Sequence, residues 1–325
     1  MSPESEPLRW RLHGLTVEGR APDPGLRARW ETAFASRPRA HEAEPDLVCA
    51  LDLVAAVPAP PARPPQFRQA GLIEYYLDGD SVLAHFPRFG QLRLDLAAGL
   101  TTGVLVRAAL DTYGVLEDLI AIALSPHLRR RGLFLVHAFA AAEPRTARAI
   151  LIVGGIGAGK TTTGLALLAA GWRLLSNDSP ILRASGAGVD VLSYPGLLAA
   201  YPDAFARFPA TAHLAEAGRA GQGRPKITVP AETVWPAVWT EQARCAAIFF
   251  PQIEARAGHA VEPLALPEAL RRLLPHAVEQ WDRAMMPAHL ALLGDLVRAA
   301  PAFQVRLGPD VGALPEMLER CLKPN

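Results

Sequence analysis

Cysteine is nearly missing from this chain. Cys49, Cys245 and Cys321 are the whole supply, odd in number, far apart and without a Cys-x-x-Cys pair, which argues against a disulfide framework and against a zinc site. They read as small buried or surface thiols. An excess of one charge is missing too: 33 Lys and Arg face 32 Asp and Glu, for a formal net charge of +1. No whole-molecule field therefore favours nucleic acid or an anionic membrane, and neither is expected as a partner. No apolar run approaches the ~20 residues that a membrane span requires. Met1-Ser2-Pro3-Glu4-Ser5-Glu6 has no basic segment followed by an apolar one, so no secretory signal is expected and the reading is a cytoplasmic protein. Apolar material, by contrast, is plentiful. It makes up 50% of 325 residues, enough for one large domain or two ordinary ones.

Glycine is concentrated at one informative place. Gly154-Gly155-Ile156-Gly157-Ala158-Gly159-Lys160-Thr161 fits the phosphate-binding pattern G-x-x-x-x-G-K-[ST]. The apolar run Ala149–Val153 before it reads as a buried strand, and Thr162 to Ala170 after it reads as a helix ended by Gly171. Strand, glycine loop and helix are the order this pattern needs. Backbone N–H groups from Gly154 to Gly159, with the positive end of the helix dipole, form a cradle for a polyphosphate. Lys160 would reach the β- and γ-phosphates, the Thr161 hydroxyl would bind Mg²⁺, and Thr162 completes the nucleotide-binding set. ATP and Mg²⁺ are the expected cofactors.

Elsewhere the chain divides by composition. Pro58-Ala-Pro-Pro-Ala-Arg-Pro-Pro65 suits neither helix nor central strand and reads as an extended connector. Beyond it, Leu72–Leu77, Ser81–Phe86 and Gln91–Leu96 are short β-forming segments separated by turn residues, the pattern of an antiparallel meander. Residues 115–131 read as a helix whose last residues, Arg129-Arg130-Arg131, form a solvated end that complements the helix dipole. Leu133–His137 and Trp172–Ser176 read as strands, and residues 264–300 as helical. The division expected is a β-rich portion, 1–110, packed on a nucleotide-binding domain, 111–325. The apolar C-terminal helices suit a core before they suit an interface between copies of the chain.

A phosphate cradle alone only binds, and transfer also needs a carboxylate and groups that position the acceptor. Asp178, at the end of the strand that follows the loop's helix, is the leading carboxylate for Mg²⁺. At this point the chain resembles a known family. His137 upstream, Ile150–Thr162, the helix ending at Ala170-Gly171, and Arg173-Leu174-Leu175-Ser176-Asn177-Asp178 are together similar to the catalytic domain of HPr kinase/phosphorylase. They look closer still to the HPr-kinase-like serine kinases found beside peptide-modifying gene clusters. The resemblance is strongest over 133–183 and extends to Ser193-Tyr194-Pro195-Gly196 and Arg224-Pro225-Lys226. It implies an α/β fold of the phosphoenolpyruvate-carboxykinase-like P-loop class, with a mixed sheet, a β-rich N-terminal portion and C-terminal helices. It further implies an ATP-dependent kinase acting on a hydroxyl of a peptide, a protein or a small molecule. His137 would lie near the carboxylates and the transferred phosphate, Lys226 would neutralise phosphate charge, and Tyr194–Gly196 would form an acceptor-side loop.

One departure from the family matters. Where it has two consecutive acidic residues, this chain has Asn177-Asp178, and an amide can orient a hydroxyl or complete a metal shell but cannot take its proton. Three readings follow. Asp178 serves both roles, or transfer proceeds with little base assistance, or the protein binds nucleotide without efficient turnover. The family's Glu and Arg-Gly-Leu-Gly signature is absent as well, which argues against HPr as the substrate.

Overall fold

Alternating apolar and polar side chains over β1 (Leu8–Leu12) and β2 (Leu15–Arg20) form a hairpin. Its two turn residues, His13 and Gly14, both have positive φ, 51° and 88°, as the twist of a two-residue hairpin demands. In this computed structural model the described residues are 7–41, 43–69, 71–186, 188–218, 226–255 and 257–322. The N-terminal Met1–Glu6 and the Arg224-Pro225 pair of the sequence reading lie outside them. The described chain is mixed α/β and forms two units, residues 1–131 with 280–283, and residues 132–279 with 284–325. The helix over 115–129 thus belongs with the first unit, and the division falls after Arg131.

In the first unit the hairpin is followed by α1 (Pro24–Ala33), which starts on Asp23 accepting the Leu26 N–H at 2.9 Å with Pro24 next in line. Then come β3 (Leu47–Val54), β4 (Phe67–Gln69), β5 (Ile73–Asp78), β6 (Ser81–Phe86), β7 (Gly90–Asp95), β8 (Leu100–Val106), α2 (Ala108–Asp111) and α3 (Val115–Arg129). The meander is present: β5, β6 and β7 pair antiparallel, as β7 and β8 do. The proline-rich segment, however, does not divide anything. Strand β3 before it pairs in parallel with β8 after it, Val48 opposite Leu100 through Val54 opposite Val106. Both sides therefore share one eight-stranded sheet, ordered β1-β2-β3-β8-β7-β6-β5-β4. Trp10, Trp30 and Phe34 stack in its core with centroids 4.8–5.9 Å apart.

The expected solvated arginine end of α3 is also corrected. The Arg129 side chain is 3% exposed and its guanidinium lies 2.9 Å from an equally buried Asp282 carboxylate, which Arg130 also reaches at 3.0 Å. Trp281 sits under Arg129 and stacks on Tyr75 at 4.8 Å. A carboxylate supplied from far along the sequence is what lets these arginines leave water.

The second unit runs β9 (Phe134–Leu135), β10 (Ala138–Ala142), β11 (Arg148–Val153), α4 (Lys160–Ala169), β12 (Arg173–Ser176), β13 (Ile181–Ser185) and β14 (Gly188–Leu192). It continues with β15 (Leu198–Ala200), α5 (Pro202–Phe205), α6 (Ala212–Gly218), β16 (Ile227–Val229), β17 (Gln242–Ile253) and β18 (Ala260–Leu264), then α7 (Leu266–Leu273), α8 (Met286–Ala299), β19 (Ala302–Leu307) and α9 (Leu314–Arg320). The main sheet is ordered β12-β10-β11-β17-β14-β13-β9, with β19 on β17 and β18 on β19. It is mixed: β11–β17 and β17–β19 are parallel, while the other pairings are antiparallel.

Both faces of this sheet are covered. Ile150 and Ile152 of β11 face a core with Leu165 and Leu168 of α4 and Leu314 and Leu318 of α9. Leu151 and Val153 face the opposite core with Leu292, Leu293 and Leu296 of α8. Burial on both sides is why β11 reads as an unbroken apolar run. The C-terminal helical reading needs one correction, since residues 277–285 between α7 and α8 are not α-helical. Leu274-Pro275-His276 forms a single 3₁₀ turn there. Among the described residues no helix is long and apolar enough to cross a membrane.

Candidate functional site

Strand β11 ends at Val153 and α4 begins at Lys160, so residues 154–159 turn the chain at the C-terminal edge of the parallel β11–β17 pair. Gly157 and Gly159 adopt φ of 79° and 101°, a left-handed backbone that glycine tolerates without strain. Gly159 is doubly fixed, because a Cβ there would lie 2.5 Å from Leu307 Cδ1. Ile156 at the loop tip is 97% exposed. Helix α4 takes Gly159 as its N-cap and has no side-chain cap, so the N–H groups of its first turn are left for an anion rather than for a Ser or Asp oxygen. Thr161 and Thr162 occupy that first turn, both half-buried.

Lys160 folds back over the loop it follows. Its ammonium donates to the Gly154 carbonyl at 2.6 Å and to the Gly155 carbonyl at 3.2 Å. Burial lowers its pKa, Asp178 works in the opposite direction, and Lys226 adds to the lowering.

Asp178 is held by the turn that ends β12. Ser176 Oγ accepts the Ser179 N–H at 3.0 Å and the Asp178 N–H at 3.4 Å, the local side-chain-to-backbone bonding that stops a strand. The Asp178 carbonyl accepts the Ala138 N–H at 3.0 Å, and the Pro180 carbonyl accepts the Val136 N–H at 3.0 Å. His137 therefore lies in a bend between β9 and β10 and not within one continuous strand. Its own N–H leaves the ladder and donates to the His276 carbonyl at 2.7 Å. That bend presents His137 Nδ1 to Asp178 Oδ1 at 3.3 Å, both side chains about half exposed. A carboxylate can only accept, so a hydrogen bond within this pair would be donated by His137 Nδ1. Burial pulls the His137 pKa below its ordinary value, with Asp178 opposing and Lys160 and Lys226 reinforcing.

No family model and no curated protein matches the chain. The solved structure of the Hpr(Ser) kinase/phosphatase from Coxiella burnetii is similar at 13% identity, covering 57% of this chain and 92% of that chain, with a TM-score of 0.29. A likeness at that level carries no weight for the site, which rests on the geometry of its own residues.

That geometry sets His137 against Asp178 at 3.3 Å, and the charges of Lys160 and Lys226 are both felt at His137. Lys226 also has its ammonium 5.6 Å from the Tyr201 ring centroid. Asn177 Oδ1 is buried and has no hydrogen-bond partner. The Tyr194–Gly196 segment lies against β12, the Tyr194 N–H donating to the Leu175 carbonyl at 3.1 Å, two residues before Asn177. Among the described residues no cluster of three or more His, Cys, Asp or Glu forms a ready metal cage. One carboxylate, Asp178, and one hydroxyl, Thr161, suit Mg²⁺, which keeps most of its shell for water and phosphate.

His276 was not singled out from the sequence. Its ring is parallel to within 23° of His137 at a centroid distance of 6.0 Å, and burial, then His137, then Lys160 hold its pKa low. Pro275 was the available signal, since a proline inside a helical pattern marks a break. Ser176 was likewise passed over, although a Ser three residues before a turn N–H is a common turn former.

Proposed function

We propose that this chain is an ATP-dependent phosphotransferase of the HPr-kinase-like, P-loop class, moving the γ-phosphate to a hydroxyl on a peptide, a protein or a small molecule. What supports this reading is a left-handed glycine loop that leads into an uncapped helix, with Lys160 bonded to the loop and the His137–Asp178 pair, which feels the charges of Lys160 and Lys226, beside it. A polyphosphate would lie on the loop amides and the first turn of α4. Thr161 and Asp178 would hold Mg²⁺, which when bound neutralises phosphate charge. The acceptor oxygen forms a bond to the γ-phosphorus, the bond from that phosphorus to the β–γ bridging oxygen breaks, and ADP leaves with the electron pair. The acceptor's proton passes to Asp178 or to water. Lys160 must give up the Gly154 and Gly155 carbonyls to reach the phosphates, where a preorganised charge lowers the barrier.

A second reading has its own observation. Asn177 stands where the family has an acid, and its unpartnered buried Oδ1 supports a nucleotide-binding protein without efficient turnover. Single-turnover transfer from γ-labelled ATP with Mg²⁺, across serine peptides and small hydroxylated acceptors, separates the two. Label on any acceptor supports the kinase. Tight ATP binding with no transfer to any of them supports the binding protein.

A further inference from the structure

At the same sheet edge as the glycine loop, where β17 ends at Ile253 and β19 at Leu307, a cleft of about 340 Å³ opens. One wall is shared with the loop and its helix, through Gly159, Thr162 and Thr163. Ile253 and Leu307, which lie against Gly159, supply apolar surface, and Arg207 and Glu254 add one guanidinium and one carboxylate. Arg207 reaches the Pro309 carbonyl at 3.5 Å, and Glu254 lies 3.4 Å from Arg306. None of His137, Asp178, Lys160 and Lys226 lines it. Cleft and charged cluster thus adjoin the same loop without sharing a lining residue.

A nucleotide extends beyond its phosphates. With the γ-phosphate end fixed at Lys160 and Asp178, the ribose and base leave from the other end of the chain of phosphates. The free space beside Gly159 and Thr163 falls in the ~300–1,000 Å³ range of small-ligand sites, at the carboxyl ends of parallel strands where α/β sheets take their ligands. We propose that this cleft receives the ribose and base of the donor nucleotide, Glu254 accepting hydrogen bonds from the ribose hydroxyls and Arg207 lying over the base. The proposal rests on the reading that the loop holds the phosphates. A carboxylate has two acceptor oxygens for a vicinal diol. A guanidinium stacks on any aromatic face, and Ile253 and Leu307 offer the base an apolar wall. These groups read the sugar more closely than the base, so ATP and GTP are held alike while loss of the ribose hydroxyls is felt.

Calorimetry on the full chain with Mg²⁺ tests this, using ATP, GTP, 2′,3′-dideoxy-ATP and inorganic tripolyphosphate as ligands. ATP and GTP are expected to bind within a few-fold of each other, and ATP ~10-fold or more tighter than tripolyphosphate, the worth of a charged hydrogen bond. Ala255 lines the cleft and is exposed, so Ala255→Trp should fill it without touching the core. That variant should remove the advantage of ATP and leave tripolyphosphate binding unchanged. Glu254→Gln should bring ATP down to the affinity of dideoxy-ATP. Equal binding of ATP and tripolyphosphate by the unaltered chain, or an Ala255→Trp variant that keeps the full ATP advantage, overturns the proposal. If tripolyphosphate still binds and Lys160→Ala abolishes that binding, the loop reading survives and the cleft alone is refuted. If no ligand binds, both fall together.

Discussion

Lys160 is the residue on which the proposed chemistry leans most. Its hydrogen bonds go to loop carbonyls, so truncation removes charge from the phosphates and takes little from the core. Lys160→Ala should lower single-turnover transfer by ~10² or more, the size of effect seen when one preorganised transition-state donor is removed. Circular dichroism should be unchanged, and activity within a few-fold of the parent would remove the loop from the mechanism. Asn177 divides the two functional readings. In a kinase tuned to its acceptor, Asn177→Asp sets a second carboxylate beside Asp178, and like-charge repulsion raises one pKa so that turnover falls. In a kinase handicapped by the amide, the same change supplies a base and turnover rises, general-base assistance being worth ~10²–10⁴. Rates for the pair of proteins on one acceptor decide between them, and no transfer from either favours the binding protein.

At the scale of elements, Gly164 in the middle of α4 breaks a propensity rule for a visible reason. A Cβ there would meet three ring atoms of the buried Phe139 at 2.4–2.6 Å. Gly164→Ala gains up to ~1 kcal/mol of helix propensity but overpacks the α4–β10 contact by ~1–3 kcal/mol, and with three ring atoms in the way the second effect should win. Denaturant titration should show a net loss of up to ~2 kcal/mol, the overpacking cost less the propensity gain, whereas a variant more stable than the parent would mean the ring slides aside. Such elements were legible in the sequence to different degrees. The loop with its flanking strand and helix and the β5–β7 meander could be read because their signals are local: glycine spacing and alternation. The bend at His137 could not, because it depends on a carbonyl from His276 far along the chain. The same holds for β3 and β8, whose parallel pairing crosses a proline-rich stretch that reads locally as a divider. The cleft beside the loop gave no sequence signal, since Arg207, Glu254 and Leu307 meet only through the ordering of β17 and β19.

For the whole molecule, the buried Arg129–Asp282 pair is a contact that a single change breaks. Asp282→Ala leaves a guanidinium in a nearly dry place without a counter-charge, at a cost of ~3–5 kcal/mol. Denaturant unfolding followed by far-UV circular dichroism should show that loss. Replacing Arg129 by Met in the same background should recover most of it, and a silent Asp282→Ala would mean that water reaches Arg129. The pair also carries a consequence in time. The first unit is not finished when its own stretch of chain has been made, because Trp281 and Asp282 come only after residues 132–279. At ~5–20 residues per second of synthesis, that interval is roughly 7–30 s. Through it the nascent first unit holds Arg129 without its carboxylate and Tyr75 without its indole. The growing chain must therefore tolerate an open seam on the ribosome, and a chaperone that shelters that seam would find it exposed only until residue 283 has emerged.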